Sequence, residues 1–557
     1  MRQHIIISAA LALAAAGLTG CIDSLTENPA SYYERDDIYA DATKASLAVM
    51  GIYNELPVIY GDKDGMATPC SDDTYYVSGV TSDNGQRDLA HYLLRNTNSV
   101  LSAVWAGKYT VIDRANAVIS GIEGMHGWQS DASLRRLMGE ARFLRAQSAF
   151  DLVRYWGDVP FKTGRTDGYE VAYGPRVPRE EIYQQIIADL DYAKEAMPWA
   201  DEVGTPERAS QGAARALLMR VYLTRAGYSL QPDGHMSRPA EKVRRECFEA
   251  VAAEWQAFEA KGYHTFCPDG YTGLFKGFSA GTLDTRESLF EVAFYELKTK
   301  GVWGTRIGPA VAAPSISPTE AGNYMGRANA FYRAVPDWRG FFEDTDERRD
   351  VMVCTYRFNW NDKQHAHVKA EQKSPLNWYP GKWRREWMPL GYTDPNNTSV
   401  NYCMLRYGDV VLMAAEACAE LGQYTTAWEL INRVRTRAGA SAVDASTYAG
   451  VYKAPRVFDL PFIADGDEAG KLRTALYWER GFELAFEGQR RFDLIRWGIL
   501  ADALTLFYEK GDQRLHTPTE RYPAALNFVK GKHELFPIPL DELQVNPKLE
   551  NINNPGY

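Results

Sequence analysis

The chain has 557 residues, with 62 Lys and Arg against 72 Asp and Glu, and a formal charge of −10. That balance argues against nucleic-acid binding, which needs a basic stripe, while the length suffices for a large core or for two or three ordinary domains. Fourteen Trp and thirty-three Tyr supply many flat aromatic faces, the kind of surface that stacks against sugar rings.

The first twenty residues read as an address. Arg2 and His4 precede an apolar run from Ile5 to Gly17 that has the length of a secretory h-region and is short for a bilayer span. It ends in Leu18-Thr19-Gly20-Cys21, which looks like a bacterial lipobox, with acylation (palmitate) expected on Cys21 and cleavage just before it. No later stretch reaches the ~18 apolar residues of a transmembrane helix, so a lipid anchor is expected rather than a span. Asp23 and Glu27 behind the cysteine resemble a surface-export signal. The other six cysteines (Cys70, Cys247, Cys267, Cys354, Cys403 and Cys418) form no C-x-x-C pair and read as small buried apolar residues.

Amphipathic helices follow in chain order. Leu134, Leu137, Met138, Ala141, Leu144, Ser148, Leu152 and Tyr155 carry the 3.6-residue period, with Asp131 as a start signal and Gly157 as a stop. A second helix begins near Pro178, repeats through Ile182, Ile186, Leu190 and Ala193, and is blocked by Pro198. A third runs from about Ala209 to Ala226. Residues 404–439 read as a helix ending at Gly422, a short turn, and a helix ending at Gly439, the tetratricopeptide unit. Ala414, Ala415 and Ala417 would let its two backbones approach closely. Between the helices, 57–100, 263–340 and 355–400 are long Gly-, Pro- and aromatic-rich segments, and loops of that length tend to be functional. No doubly wound strand–helix alternation is present.

Five blocks resemble the SusD/RagB family of surface lipoproteins: Cys21 with Asn28-Pro29; RFLRAQSAFDLVRYWGDVPF at 142–161; Ala415-Glu416-Ala417 with Asn432-x-x-Arg435-x-Arg437-Ala438-Gly439; ERGFELAFEGQRRFDLIRWG at 479–498; and the tail 534–557. They occur in the family's order, with Asn553 where the family usually has Gln. The resemblance implies a mostly α fold in which four tetratricopeptide-like hairpins support a loop-rich ligand-binding half. It divides the chain into a signal peptide (1–20), an N-terminal region (21–235) and a C-terminal region (236–557). It also implies a non-catalytic role: an oligosaccharide, or in some members a peptide, is bound at the exterior of the outer membrane and passed to a SusC-like TonB-dependent transporter.

The residues themselves offer little catalytic chemistry. Gly277-Phe278-Ser279-Ala280-Gly281 matches G-x-S-x-G but lacks the strand before and helix after that a nucleophile elbow needs. Glu483 and Glu487 at i, i+4 are expected on one helix face, the superficial spacing of a glycosidase pair, yet Arg480, Arg490, Arg491 and Arg496 nearby favour a structural charge network that keeps both acids ionised. Asp62-x-Asp64-Gly65 with Asp72 and Asp73 invites a calcium reading but lacks the EF-hand order, and no other cofactor is expected. The nine histidines are dispersed and read as packed or solvated.

Sugar binding asks for exposed rings beside Asp, Asn and Arg. The stretch 72–92 (Asp73, Tyr75, Tyr76, Asp83, Asn84, Arg87, Tyr92) and the stretch 303–338 (Trp303, Arg306, Asn323, Tyr324, Trp338) offer both. Asp73, Tyr75, Arg87, Trp303, Tyr324 and Trp338 are the ligand-binding candidates, although burial is the commoner fate of any one ring. Residues 360–387 add Trp360, Trp378, Trp383 and Trp387, with four Lys and Arg between 373 and 385 that would suit a partner. Trp105, Tyr109 and Trp156 fall in helical blocks and are assigned to packing.

Overall fold

The computed structural model describes residues 35–557 apart from 62–69, 77–81, 296–298, 300, 318–319, 321–322, 392–393 and 453–465. The signal peptide, Cys21 and the Asp62, Asp64 and Gly65 of the calcium reading lie outside the described residues. The fold is mostly α, as expected. Its long helices are α1 (Ala42–Tyr53), α2 (Ser99–Glu123), α3 (Ala132–Trp156), α4 (Arg179–Ala196), α5 (Gln211–Ala226), α6 (Glu241–Lys261), α7 (Gly270–Ala280), α8 (Tyr407–Glu420), α9 (Tyr424–Arg437), α10 (Glu468–Leu484), α11 (Arg490–Arg496) and α12 (Leu500–Lys510).

Local chemistry explains the ends of these helices. Asp131 caps α3 through the backbone N–H groups of Ser133 and Leu134, and Gly157 ends it at φ +73°, where a side chain would be strained. Pro178 precedes α4 and Ser210 caps α5. Along the chain α2 packs on α3, α3 on α4, α4 on α5 and α5 on α6, and α8 packs on α9, α6 and α10. This is the stacking of tetratricopeptide-like hairpins. Ala414, Ala415 and Ala417 are fully buried where α8 meets its neighbours, and Gly422 (φ +77°) and Gly439 (φ +72°) make the two turns predicted for that hairpin.

The loop-rich half holds only two-stranded sheets among the described residues. Those used below are β1 (Thr74–Tyr76) on β3 (Tyr332–Ala334), β2 (Ser288–Val292) on β6 (Tyr402–Arg406), and β4 (Tyr356–Asn361) on β5 (Ala366–Glu371), all antiparallel. The segments read as loops therefore contain regular structure, including α7 within 263–340 and a hairpin within 355–400. The C-terminal tail is tied to the end of α3. Trp156 Nε1 donates to the Pro537 carbonyl at 2.9 Å, and Asn554 Nδ2 donates to the Trp156 and Phe536 carbonyls at 3.0 and 2.7 Å. Asn553 both accepts from the Ile538 N–H and donates to its carbonyl.

A buried charge network joins the two halves. Arg406, at the end of β6, contacts Glu483 and Glu487, and Lys382 from the loop half reaches the same Glu487. Arg437 of α9 holds Glu287 and Glu483, while Arg348 holds Asp346 and Glu479. Gly408 makes room for this crowding, since a Cβ there would lie 2.4 Å from Arg406 Nη1 and 2.6 Å from Glu483 Oε1. The structural reading of Glu483 and Glu487 fits, but its partners differ from those expected. Arg480 pairs with Asp409 and Asp493, Arg490 with Asp72, Arg496 with Glu416 and Asp493, and Arg491 donates to the His533 and Glu534 carbonyls.

Removing one partner from such a network strands the others away from water. Glu483→Ala should therefore lower the unfolding free energy by about 3–5 kcal/mol, read as a lower midpoint in urea denaturation.

Candidate functional site

The structure sorts the aromatic residues by how their faces are covered. Trp338 is fully buried, stacks on Phe507 (centroids 5.8 Å apart, planes at 11°) and lies so close to α10 that a Cβ at Gly481 would meet its ring at 2.4 Å. Its indole N–H donates to the Asp72 carbonyl at 2.7 Å. Trp303 is buried between Tyr402 (5.0 Å, 14°) and Trp383 (4.6 Å, 43°). Tyr75, in β1, is buried with its hydroxyl on the Leu376 carbonyl. Asp73 is buried and accepts from Ser71 at 2.7 Å. These four expected ligand contacts are corrected to core residues, because their faces and polar atoms are turned into the protein. Trp105 and Trp156 are buried against each other, in line with the packing assigned to them.

The basic cluster suggested for a partner is likewise turned inward. Lys382, Arg384 and Arg385 are buried, with Arg385 donating to the carbonyls of Arg327 and Asp394. Only Lys373 of that group is exposed. Ser279 is buried within α7 and preceded by helix rather than strand, so G-x-S-x-G is no nucleophile elbow here. Asp72 is occupied by Arg490, and among the described residues no group of three or more His, Cys, Asp or Glu is placed to hold a metal.

Two candidates remain at the surface. Tyr324 is half-buried beside the β4–β5 hairpin, its ring edge-on to Trp360 (4.9 Å, 85°). His367 and His365 flank the same indole at 5.2 Å (72°) and 6.4 Å (86°). No described ring lies parallel on Trp360, which is half-buried, in contrast to the stacked Trp303 and Trp338. The indole N–H donates to Asp362 at 2.9 Å, which fixes its orientation, and Asn323, Asp362 and Gln364 are exposed alongside.

The platform stands where it does because backbone pairing holds it there. Val311 bridges both Ala328 and Phe358, so the loop that carries Tyr324 is drawn against the hairpin. His367 Nε2 lies 2.9 Å from the Ala312 carbonyl. At the tip, Asn361 accepts from the N–H groups of Lys363 and Gln364, and His365 takes φ +45° to close the turn.

Arg87 lies half-buried on a one-turn helix, Gln86–Ala90, whose start is organised by Asp83 and Asp88 accepting backbone N–H groups. Gln86 accepts from Arg306 at 2.9 Å, and the Arg306 guanidinium sits 6.0 Å over the half-exposed ring of Phe331. Asn329 Nδ2 donates to Asn396 Oδ1 at 2.6 Å.

Two family models match most of the chain: one described as "SusD family" over residues 287–557, and one described as "Starch-binding associating with outer membrane" over residues 49–223. The chain belongs to the SusD family. It is 25% identical over 550 residues to SusD-like protein P2 of Formosa agariphila, covering 97% of each chain. A solved SusD homolog from Bacteroides thetaiotaomicron superposes with a TM-score of 0.75 at 26% identity, covering 94% of this chain and 98% of that one. A laminarin-binding SusD-like protein shares the fold at a TM-score of 0.62 and 21% identity, over 92% of this chain and 99% of that one.

Carboxyls with raised pKa values lie in this SusD-family core, away from the platform. Burial pushes Asp73 up to about 6, with the charge of Asp72 adding to it, and burial pushes Glu291 of β2 up to about 7. At Glu483 burial also pushes upward, but the guanidiniums of Arg437, Arg406 and Arg348 outweigh it and hold the group well below the ordinary range. A carboxyl raised on folding stabilises the protein while protonated and loses that contribution as pH climbs through its folded value. For Glu291 the window runs from the ordinary glutamate value, near 4.5, to about 7. Glu291→Gln should therefore flatten the fall in melting temperature across that window and raise stability at pH 8 by about 1–3 kcal/mol, as measured by thermal unfolding at stepped pH.

Proposed function

We propose that this chain is a glycan-binding lipoprotein of the outer membrane, anchored through Cys21 and facing the exterior, that holds an oligosaccharide without converting it and delivers it to a SusC-like TonB-dependent transporter. The observation that carries the glycan reading is the Trp360–Tyr324 platform, uncovered by any parallel ring and edged by Asn323 and Asp362. An indole face excludes water from the apolar side of a sugar ring, and the neighbouring amide and carboxylate orient its hydroxyls. The laminarin-binding protein of the same fold supports glycan as the ligand class, and the description "associating with outer membrane" for the N-terminal match supports the location. Arg87 and Tyr324 remain as proposed ligand contacts. The absence of catalysis is supported by where the acids lie, since Glu483 and Glu487 are locked to arginines and lysine in the interior.

Affinity electrophoresis and calorimetry against a polysaccharide panel test this directly. One glycan should bind, and Trp360→Ala should weaken it about tenfold or more, the loss of a hot-spot ring, while the fold stays intact by circular dichroism. Binding to peptides with none to any glycan overturns the reading. For the anchor, intact-mass analysis of membrane-extracted protein should find an acylated N-terminal Cys21, and Cys21→Ala should move the protein into the soluble fraction.

A further inference from the structure

The helical half contains a cavity of about 310 Å³ between α5, α6, α8, α10 and α11, at the lower end of the ~300–1,000 Å³ range of small-molecule sites. It lies on different elements from the platform. Half-buried Tyr228 and Trp497 contribute rings to its lining, and Phe248 and Leu476 contribute apolar wall.

Its charged groups are unevenly satisfied. Arg496 is held by Glu416 and Asp493, Arg473 by Glu420, and Arg244 by Glu241 and the Ala226 carbonyl. Arg238 has no carboxylate partner among the described residues, and its guanidinium lies 5.2 Å over the Tyr228 ring. A planar guanidinium resting on an aromatic ring and lacking an acid is prepared for bidentate contact with an incoming carboxylate. Glu416 accepts from both terminal nitrogens of Arg496 and from Trp497 Nε1 (3.0 Å), and Glu420 accepts from Arg473 at 2.6 and 3.0 Å with Arg244 Nη2 a further neighbour at 3.5 Å. A carboxylate offers about four lone-pair positions, so each keeps room for about one further hydroxyl donor.

We propose that this cavity is a second binding site, for a sugar bearing one carboxylate. Arg238 takes the carboxylate, Tyr228 and Trp497 flank the ring, and Glu416 and Glu420 accept its hydroxyls. The site stands on its own lining and does not require the platform to bind anything.

The test is calorimetry of the full chain with glucuronate and galacturonate against glucose and galactose. The uronates should bind about tenfold or more tighter than their neutral counterparts, the worth of one charge-assisted pair. Arg238→Ala should abolish that preference, Arg238→Lys should keep part of it, and Trp360→Ala should leave it unchanged. Arg238 is exposed, so its removal leaves the fold in place. No uronate binding, equal affinity for acid and neutral sugar, or a preference that survives Arg238→Ala overturns the proposal. A preference lost with Trp360→Ala also overturns it, by placing the acid on the hairpin.

Discussion

The architecture turns on charges buried together. Arg406 meets Glu483 and Glu487, Lys382 shares Glu487, Arg437 bridges Glu287 and Glu483, and Arg348 and Arg435 converge on Glu479. These groups come from segments far apart in the chain. Each ion costs several kcal/mol to desolvate, and that cost is recovered only when its partners are all in place. The network therefore couples the helical array to the loop-rich half: Lys382 and Arg348 belong to one, Glu479 and Glu483 to the other. Glycines serve the same end, with Gly408 and Gly481 leaving space that a methyl group would fill.

The helices were legible in the sequence because their information is local. An apolar stripe at the helical period, an Asp at the start and a Gly at the stop identify α3 without reference to anything distant, and the 404–439 hairpin follows from the same signals. The charge network was legible only in kind. That Glu483 and Glu487 would be ion-paired could be read from their arginine-rich surroundings, but their partners Arg406, Arg437 and Lys382 are set by tertiary contact, and helix neighbours such as Arg480 turn to other carboxylates.

The candidate binding surface was the least legible part. Composition alone does not distinguish a Trp with both faces covered from one left open, and Trp303 and Trp338 share their stretch with Tyr324. What separates them is a parallel ring on one side or a glycine on the other, and neither is a property of nearby sequence. A usable signal did exist at the hairpin: Tyr356–Asn361 and Ala366–Glu371 flank a four-residue turn opened by Asn361, a pattern of strand, turn and strand. Reading 355–400 as an undivided loop hid it, and with it the histidines His365 and His367 beside Trp360.

The β4–β5 hairpin is seated on the rest of the chain by main-chain bridges at Val311 and by the Ala312 carbonyl. Side chains take part as well, with Phe358 packed on Val311 and Ala328 and His367 reaching the Ala312 carbonyl, but Phe358 and His367 lie on the strands and neither is at the tip. Asp362, Lys363 and Gln364 at the exposed tip can therefore change without disturbing the contacts that seat the two strands.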